Sequence, residues 1–384
     1  MKYAVLVGSQ MSDAPVADMG GRTPIEIAKT PQMDALAKHA QLGCACFVPK
    51  DLKAATDVAA MSILGYDPAE FYTGIAPLDA LAAGVRLGDR HIAFRCDFVS
   101  ALDERLVDQT AGRVSAREAN ELLEAVIAHV ADPRFEFHAG GGYKNLLIIK
   151  DPELVEDLDE VECLLPGETL DKPITKCLPK GDAAFLLIEL MEKAKEILDG
   201  HEINRVRIDL GENPANRLWL WGQGKEPKMP SFKQRFGLQG GVCANKDFVR
   251  GLAMAAGMQV FDSFQSALKE CDLVFVYDDL ETPAKTTVDL KTKIRHIEDF
   301  DLNVVKSVRE LLRAGGEHKL LVTTDVTTSM QTRQLSYQEV PFLITADAKT
   351  ASGADCFGEK SCAKTDLKVQ DGFRLMQHFL GRAG

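Results

Sequence analysis

The sequence predicts an α/β protein: a core with a mostly parallel central sheet flanked by helices, interrupted by a smaller inserted α+β lid domain. Three observations carry the prediction. The chain opens on Lys2–Gly8, an uninterrupted apolar run rich in Val and Leu and stopped by Gly8, the pattern of a strand buried on both faces of a parallel sheet. From Ala183 to the C-terminus, apolar runs of strand length alternate with longer stretches of helical period. Between these regions, from Arg90, the runs shorten and surround a single amphipathic helix. The core is therefore expected at residues 1–85 and 181–384 and the lid at 86–180. An insert hinged over strand ends is a usual way to build a lid.

After the first strand, Thr23-Pro24 and Thr30-Pro31 each place a capping hydroxyl before a proline, which predicts two short helices across Ile25 to His39. Leu42 to Val48 reads as a second buried strand. Thr56 is expected to cap a helix over Asp57 to Leu64 that Gly65 ends. In the insert, Ile92–Val99, Phe135–Phe137 and Lys144–Ile149 read as strands, and Ser115-Ala-Arg-Glu118 is a capping box that opens a helix to Val130. The acidic, proline-punctuated segment from Asp151 to Pro179 reads as the irregular exit of the insert. The returning core is expected to hold helices at Ala183–Leu198, Asp247–Ala256, Asp289–Arg313 and Val369–Leu380. Its strands are expected at Met258–Phe261, Leu273–Tyr277, Lys319–Thr324 and Val340–Thr345.

Composition narrows the function. A chain of 384 residues can bury a large core. Its net charge of -12, with no compensating basic block, argues against a groove for a phosphate backbone, so nucleic acid is not an expected partner. No apolar run reaches the roughly 18 residues of a membrane span, and the N-terminal strand shows no signal-peptide cleavage pattern. No membrane partner and a cytoplasmic location are therefore expected. The nine cysteines are odd in number and scattered, several in apolar runs, and read as buried free thiols of a reducing compartment. A homo-oligomer is compatible with all of this.

In an open α/β sheet, the loops leaving the carboxyl ends of the strands border the ligand crevice. The first such loop, Ser9-Gln-Met-Ser-Asp13, is poor in chemistry, with Ser9 and Gln10 at the strand end and its carboxylate several residues on. Thr56, at a helix N-terminus beside the sheet, is placed either to meet a phosphate or simply to cap its helix. Asp278 and Asp279 directly follow a core strand, and Asp279 or Glu281 with Asp325 and Asp13 would supply oxygen ligands for one weakly held magnesium. Arg95 has two readings, bidentate contact to a carboxylate or phosphate and an ordinary structural ion pair. The eight histidines lie on helices, beside lid strands or in connectors, and none follows a core strand as a metal ligand would. Trp219 and Trp221, in an alternating apolar segment, read as core.

Several stretches become recognisable together: Gly20-Gly-Arg-Thr-Pro24, Lys29-Thr-Pro-Gln-Met-Asp34, Thr56-Asp-Val-Ala59, Leu64-Gly-Tyr-Asp-Pro68 and Tyr72-Thr-Gly74. They continue with Ala93-Phe-Arg-Cys96, Asn213-Pro-Ala-Asn216 and Trp219-Leu-Trp-Gly-Gln-Gly-Lys225. In order, over nearly the whole chain, these resemble the archaeal-type 2,3-bisphosphoglycerate-independent phosphoglycerate mutases, a branch of the alkaline phosphatase superfamily that also includes proteins proposed as homoserine kinases. The resemblance implies an alkaline-phosphatase-like core with an inserted lid, interconversion of 3- and 2-phosphoglycerate in glycolysis, and two divalent cations, manganese or zinc. Those metals activate a Ser or Thr that takes up the phosphoryl group. A hydroxyl attacks a phosphate dianion only once its proton is removed and the negative charge neutralised, and a two-metal clamp does both. By resemblance Thr56 is the catalytic nucleophile and Asp325 matches one metal-ligand aspartate.

The other ligand positions depart from the family pattern. Ser9 stands where the family has a strand-end aspartate, Val326 where it has the histidine of an Asp-His pair, and Leu335 where it has a further histidine. Thr282 and Thr286 stand at an Asp and a His. In other family motifs, Ile75 replaces an arginine, Arg113 a lid histidine, and Tyr143-Lys-Asn145 a Tyr-Arg-His segment. Neutral hydroxyls with one carboxylate do not hold two divalent ions, so no metal and no other cofactor is expected. The expected protein binds a phosphorylated small molecule or an active paralogue, with Arg95, Ser9 and Asp325 in contact with substrate. The alternative is an active phosphotransfer enzyme, mutase or homoserine-kinase-like, with Thr56 as nucleophile and altered metal use. Either way, Ser9, Thr56, Thr282 and Asp325 are expected to converge at the carboxyl ends of the core strands.

Overall fold

The computed structural model describes residues 1–279, 289–330, 335–345 and 352–381. Met1–Tyr72 with Lys228–Gly384 form one compact unit and Thr73–Pro227 the other. Both are mixed α/β, as expected. The division differs from the expected 86 and 180 boundaries, and the reason lies in the pairing of the second unit. Strand Arg217–Gly224, with Trp219 and Trp221, pairs antiparallel with Ile92–Leu102. The helix Ala184–Leu198 lays Leu187, Leu190 and Ala194 into the same hydrophobic core as Leu122 and Val126. A chain break at 180 would strip this sheet of a strand and its core of a helix.

In the first unit, eight strands among the described residues form one sheet. In order it runs Lys368–Val369, Ala40–Ala45, Val340–Thr345, His318–Thr323, Lys2–Gly8, Leu273–Asp278, Gly240–Ala244 and Gln259–Val260. Lys2–Gly8 lies between two parallel neighbours, and Ala4 to Val7 are wholly buried, which is why that run is apolar on both faces. Val340–Thr345 runs antiparallel to both its neighbours. The register matters for function: Gly8 pairs with Asp278 and Val7 with Thr323, so the loops after three strands leave the sheet at one level. A Cβ on Gly8 would fall 2.4 Å from the sulfur of Met11, which folds back over it, so a larger residue there would push the buried Met11 side chain aside.

Local details depart from expectation where a tertiary contact overrides a local signal. Thr23 makes its capping box with Glu26, but Thr30 makes no capping bond. Asp301 caps that helix instead, accepting from the Gln32 and Met33 N–H groups at 3.1 and 2.8 Å. The helix expected over Asp289–Arg313 carries a π-helical stretch at Phe300–Val305, where Asp301 is buried. Thr56 is not a cap: the helix begins one residue early, with Ala55 as N-cap and Thr56 as the first residue of Thr56–Ile63. The closing helix is shorter than expected, Leu375–Leu380, because Lys368–Val369 joins the sheet edge. Gly240–Ala244 went unread as a strand because its two glycines mask the apolar pattern.

The second unit is a five-stranded sheet in which Ile92–Leu102 pairs with Arg105–Asp108, Asn145–Ile149 and Arg217–Gly224. Phe135–Ala139 completes it. The helix Ala116–Val130, opened by the Ser115–Glu118 capping box, buries Ala119, Leu122, Leu123, Val126 and Val130. Those positions are spaced three and four apart, as one helical face requires. All nine cysteines are free thiols.

Candidate functional site

The level exit of three strands brings the loop residues Ser9 to Asp13, Asp279 and Thr324 to Asp325 together. Asp325 is the hub. Its Oδ1 accepts from the Gln10 N–H at 2.7 Å and the Val326 N–H at 2.6 Å. Its Oδ2 accepts from Ser9 Oγ at 2.7 Å and Tyr277 Oη at 2.6 Å, and the two hydroxyl oxygens lie 3.1 Å apart. Ser9, Tyr277 and Asp325 are each no more than 2 % exposed. Burial pushes the Asp325 carboxyl up, and the four donors pull it back. The Tyr277 phenol is driven well above its usual range by burial and by the neighbouring Asp325, so it stays a neutral donor. Gln10 adopts φ 57°, a left-handed conformation that aims its N–H at Asp325.

The other two carboxylates of the loops face lysines. The Lys293 ammonium, 1 % exposed, donates to Asp13 Oδ2 at 2.8 Å, and to the Ser12 and Thr328 carbonyls at 2.9 Å each. Lys246 pairs with Asp279 Oδ2 at 2.7 Å, and Gln10 Nε2 reaches Asp279 Oδ1 at 3.4 Å. Glu359, pushed up by burial, accepts from Ser12 Oγ and Thr23 Oγ1 at 2.6 Å each. His296 is buried beside these groups, held below its ordinary pKa by burial, with a hydrogen bond to the Ser9 backbone and Asp279 nearby. Its Nε2 has no hydrogen-bond partner among the described residues.

Of the residues expected to converge, Ser9 and Asp325 are in direct contact. Thr282, Thr286 and Glu281 lie outside the described residues. Thr56 is half-buried and opens a helix that packs against Asp247–Ala255 and Gly372–Arg374, with no hydrogen bond described between it and Ser9 or Asp325. Tyr277, Lys293 and Lys246 were not foreseen. Lys293 was findable in principle, since it shares the inward stripe of its helix with His296 and Ile297.

Among the described residues, the donor set does not fit the two divalent ions that the family resemblance implies. A metal ligand needs lone pairs free of other donors. Asp325 has both oxygens taken by four donors, Asp13 is held by the buried ammonium of Lys293, and Asp279 by the partly exposed ammonium of Lys246. Among the described residues no group of three or more His, Cys, Asp or Glu is placed to hold a metal ion. For the single-magnesium alternative, Asp13, Asp279 and Asp325 each already have a partner, and Glu281, its other candidate ligand, lies outside the described residues.

In the second unit, Arg95 forms an ion pair with Asp79 and lies 4.7 Å over the Trp221 ring. Trp221 Nε1 donates to Oδ2 of Asp97 at 2.9 Å, whereas Oδ1 of Asp97 is buried without a partner among the described residues. Burial, opposed by Arg95, the Trp221 bond and Lys144, raises the Asp97 carboxyl from 3.8 to about 6. The unfolded chain releases this proton near 3.8 and the folded chain near 6, so stability falls as pH rises between them and stays lower above. That gap corresponds to about 3 kcal/mol at neutral pH. Asp97→Asn is therefore expected to raise the melting temperature at pH 7.5, with the gain shrinking as pH falls from 6 to 4. A gain that persists at pH 4 would mean that charge burial is not its cause.

Among the described residues no helix is long and apolar enough to cross a membrane. Comparison with known proteins accords with the architecture. A family profile described as 2,3-bisphosphoglycerate-independent phosphoglycerate mutase matches residues 37–204. The chain is 35% identical to a protein of that name from Methanothrix thermoacetophila, covering 98% of this chain and 99% of the relative. It is 36% identical to one from Methanosarcina barkeri, covering 96% of each. Among solved structures, a cofactor-independent phosphoglycerate mutase from Thermoplasma acidophilum superposes with a TM-score of 0.61 at 25% identity, covering 100% of both chains. A Pyrococcus horikoshii protein shares the fold with a TM-score of 0.75 at 24% identity, over 100% of this chain and 98% of that one. With such identity over the full length of both partners, the chain belongs to the 2,3-bisphosphoglycerate-independent phosphoglycerate mutase family.

Proposed function

We propose that this family member binds a phosphorylated small acid of the phosphoglycerate kind without performing two-metal phosphoryl transfer, and acts as a binding or regulatory counterpart of active relatives. The observation that carries this reading is the saturation of Asp325 by Ser9, Tyr277 and two backbone N–H groups. Phosphoryl transfer to a hydroxyl needs its proton removed and the developing charge neutralised, and metals supply several kcal/mol of that stabilisation. Among the described residues, Lys293 and Lys246 are the cations paired with the strand-end carboxylates, and both ammoniums are engaged there.

A second reading is favoured by Thr56. Thr56 is only partly buried and its helix N-terminus carries no side-chain cap, which suits an anion. On that reading the chain is an active phosphotransfer enzyme, mutase or homoserine-kinase-like, with Thr56 as nucleophile and a different use of metal. The relatives named as mutases share about a third of their residues with it.

The two are separated by a coupled assay of 3-phosphoglycerate to 2-phosphoglycerate conversion with manganese, magnesium or zinc, run beside calorimetric titration with 3-phosphoglycerate. Saturable binding without turnover is expected. Turnover at an ordinary enzymatic rate, roughly 1 to 1000 per second, would replace this reading with the second.

A further inference from the structure

We infer that Tyr277 is the residue that closes Asp325 to a divalent metal, and that the pair of Ser9 and Tyr277 together, not Ser9 alone, stands in the place of a metal-ligand contact. The inference rests on the reading that the chain's own donors satisfy the crevice carboxylates, and goes beyond it by naming the group that must leave before a metal can bind. The two oxygens of Asp325 are held differently. Oδ1 faces the Gln10 and Val326 N–H groups, which belong to the backbone and survive any substitution but proline. Oδ2 is held by the Ser9 and Tyr277 hydroxyls at 2.7 and 2.6 Å, so it is the oxygen that side-chain changes can free.

The two hydroxyls are not equivalent. Ser9 is small, and an aspartate there would add a second carboxylate to the spot. Tyr277 is a large side chain fixed by packing: it is 2 % exposed and meets Phe248 edge-on with ring centroids 5.9 Å apart. The packing of its ring therefore holds its Oη beside Asp325 independently of the Ser9 hydroxyl. A divalent ion bonds carboxylate oxygens at about 2.0 to 2.6 Å and so needs the volume next to Oδ2 that this oxygen fills.

The test is a manganese titration by calorimetry, with elemental analysis after dialysis, on the full chain and three variants: Ser9→Asp, Ser9→Asp with Tyr277→Ala, and Ser9→Asp with Tyr277→Phe. The phenylalanine variant removes only the hydroxyl and preserves the packing against Phe248, which guards against a failure to fold. Ser9→Asp alone is expected to bind no better than the unmodified chain. The double variants are expected to bind one manganese per chain, at least about ten-fold tighter than Ser9→Asp. Equal binding by Ser9→Asp and the double variants would overturn the role of Tyr277, as would absence of binding in a double variant that still melts cooperatively. Tight manganese binding by the unmodified chain is a different result, and would instead overturn the proposed function.

Discussion

Asp325→Ala should destabilise the protein by about 3 to 5 kcal/mol, read from chemical denaturation, and lower its melting temperature by many degrees. The carboxylate is wholly buried and accepts four hydrogen bonds, from Ser9 Oγ, Tyr277 Oη and the N–H groups of Gln10 and Val326. Its removal strands two hydroxyls and two backbone donors where water has little access. A stranded buried donor costs about 1 to 3 kcal/mol, and relaxation of the loop recovers part of the sum. Gln10 would then hold its left-handed conformation with no bond to reward it. Asp325→Asn should cost less, because one carbonyl oxygen still accepts while the new amide opposes the hydroxyls. A residue whose sole task was to touch substrate would behave oppositely: its alanine variant would fold normally and lose only binding.

Lys293→Met should cost a similar amount, about 3 to 5 kcal/mol, because it leaves Asp13 as an uncompensated buried charge. Methionine fills most of the volume, so the loss is electrostatic rather than a cavity. The Lys293 ammonium is itself held below its ordinary pKa by burial, with Asp13 opposing that shift. Combining Lys293→Met with Asp13→Asn should restore much of the loss, since burying neither charge is often neutral. A double-mutant cycle by urea denaturation measures the coupling. Additive losses would show that the two side chains do not depend on each other.

How much of this was legible without coordinates follows from the reach of each signal. The strand Lys2–Gly8, the Ser115–Glu118 box and the helix Ala116–Val130 are local patterns, and they fold where their patterns say. Thr30 and Thr56 look like caps in the sequence but are not, because the capping partner of one helix, Asp301, lies far away in sequence, and the other helix starts one residue early. The unit boundary was misplaced because a strand pairing between residues 92–102 and 217–224 has no local trace. At the site, the family pattern pointed to Ser9 and Asp325, and their contact follows from the strand register. Tyr277 was hidden at the end of an apolar run, where a phenol looks like one more core residue. Its role appears only when three strands are laid side by side.

Among the described residues, Asp13, Asp279 and Asp325 are satisfied by the protein's own donors, and no dinuclear site is left to fill. Thermal melting of the unmodified protein, in EDTA and in excess manganese, tests this most directly. A metal that binds only the folded state at a concentration 100-fold above its dissociation constant adds about 2.7 kcal/mol, which is several degrees. The predicted result is one melting temperature in both buffers, the same within about a degree. A rise of several degrees in manganese that EDTA reverses would contradict it, and would show that Asp13, Asp279 and Asp325 exchange their lysine and hydroxyl partners for metal.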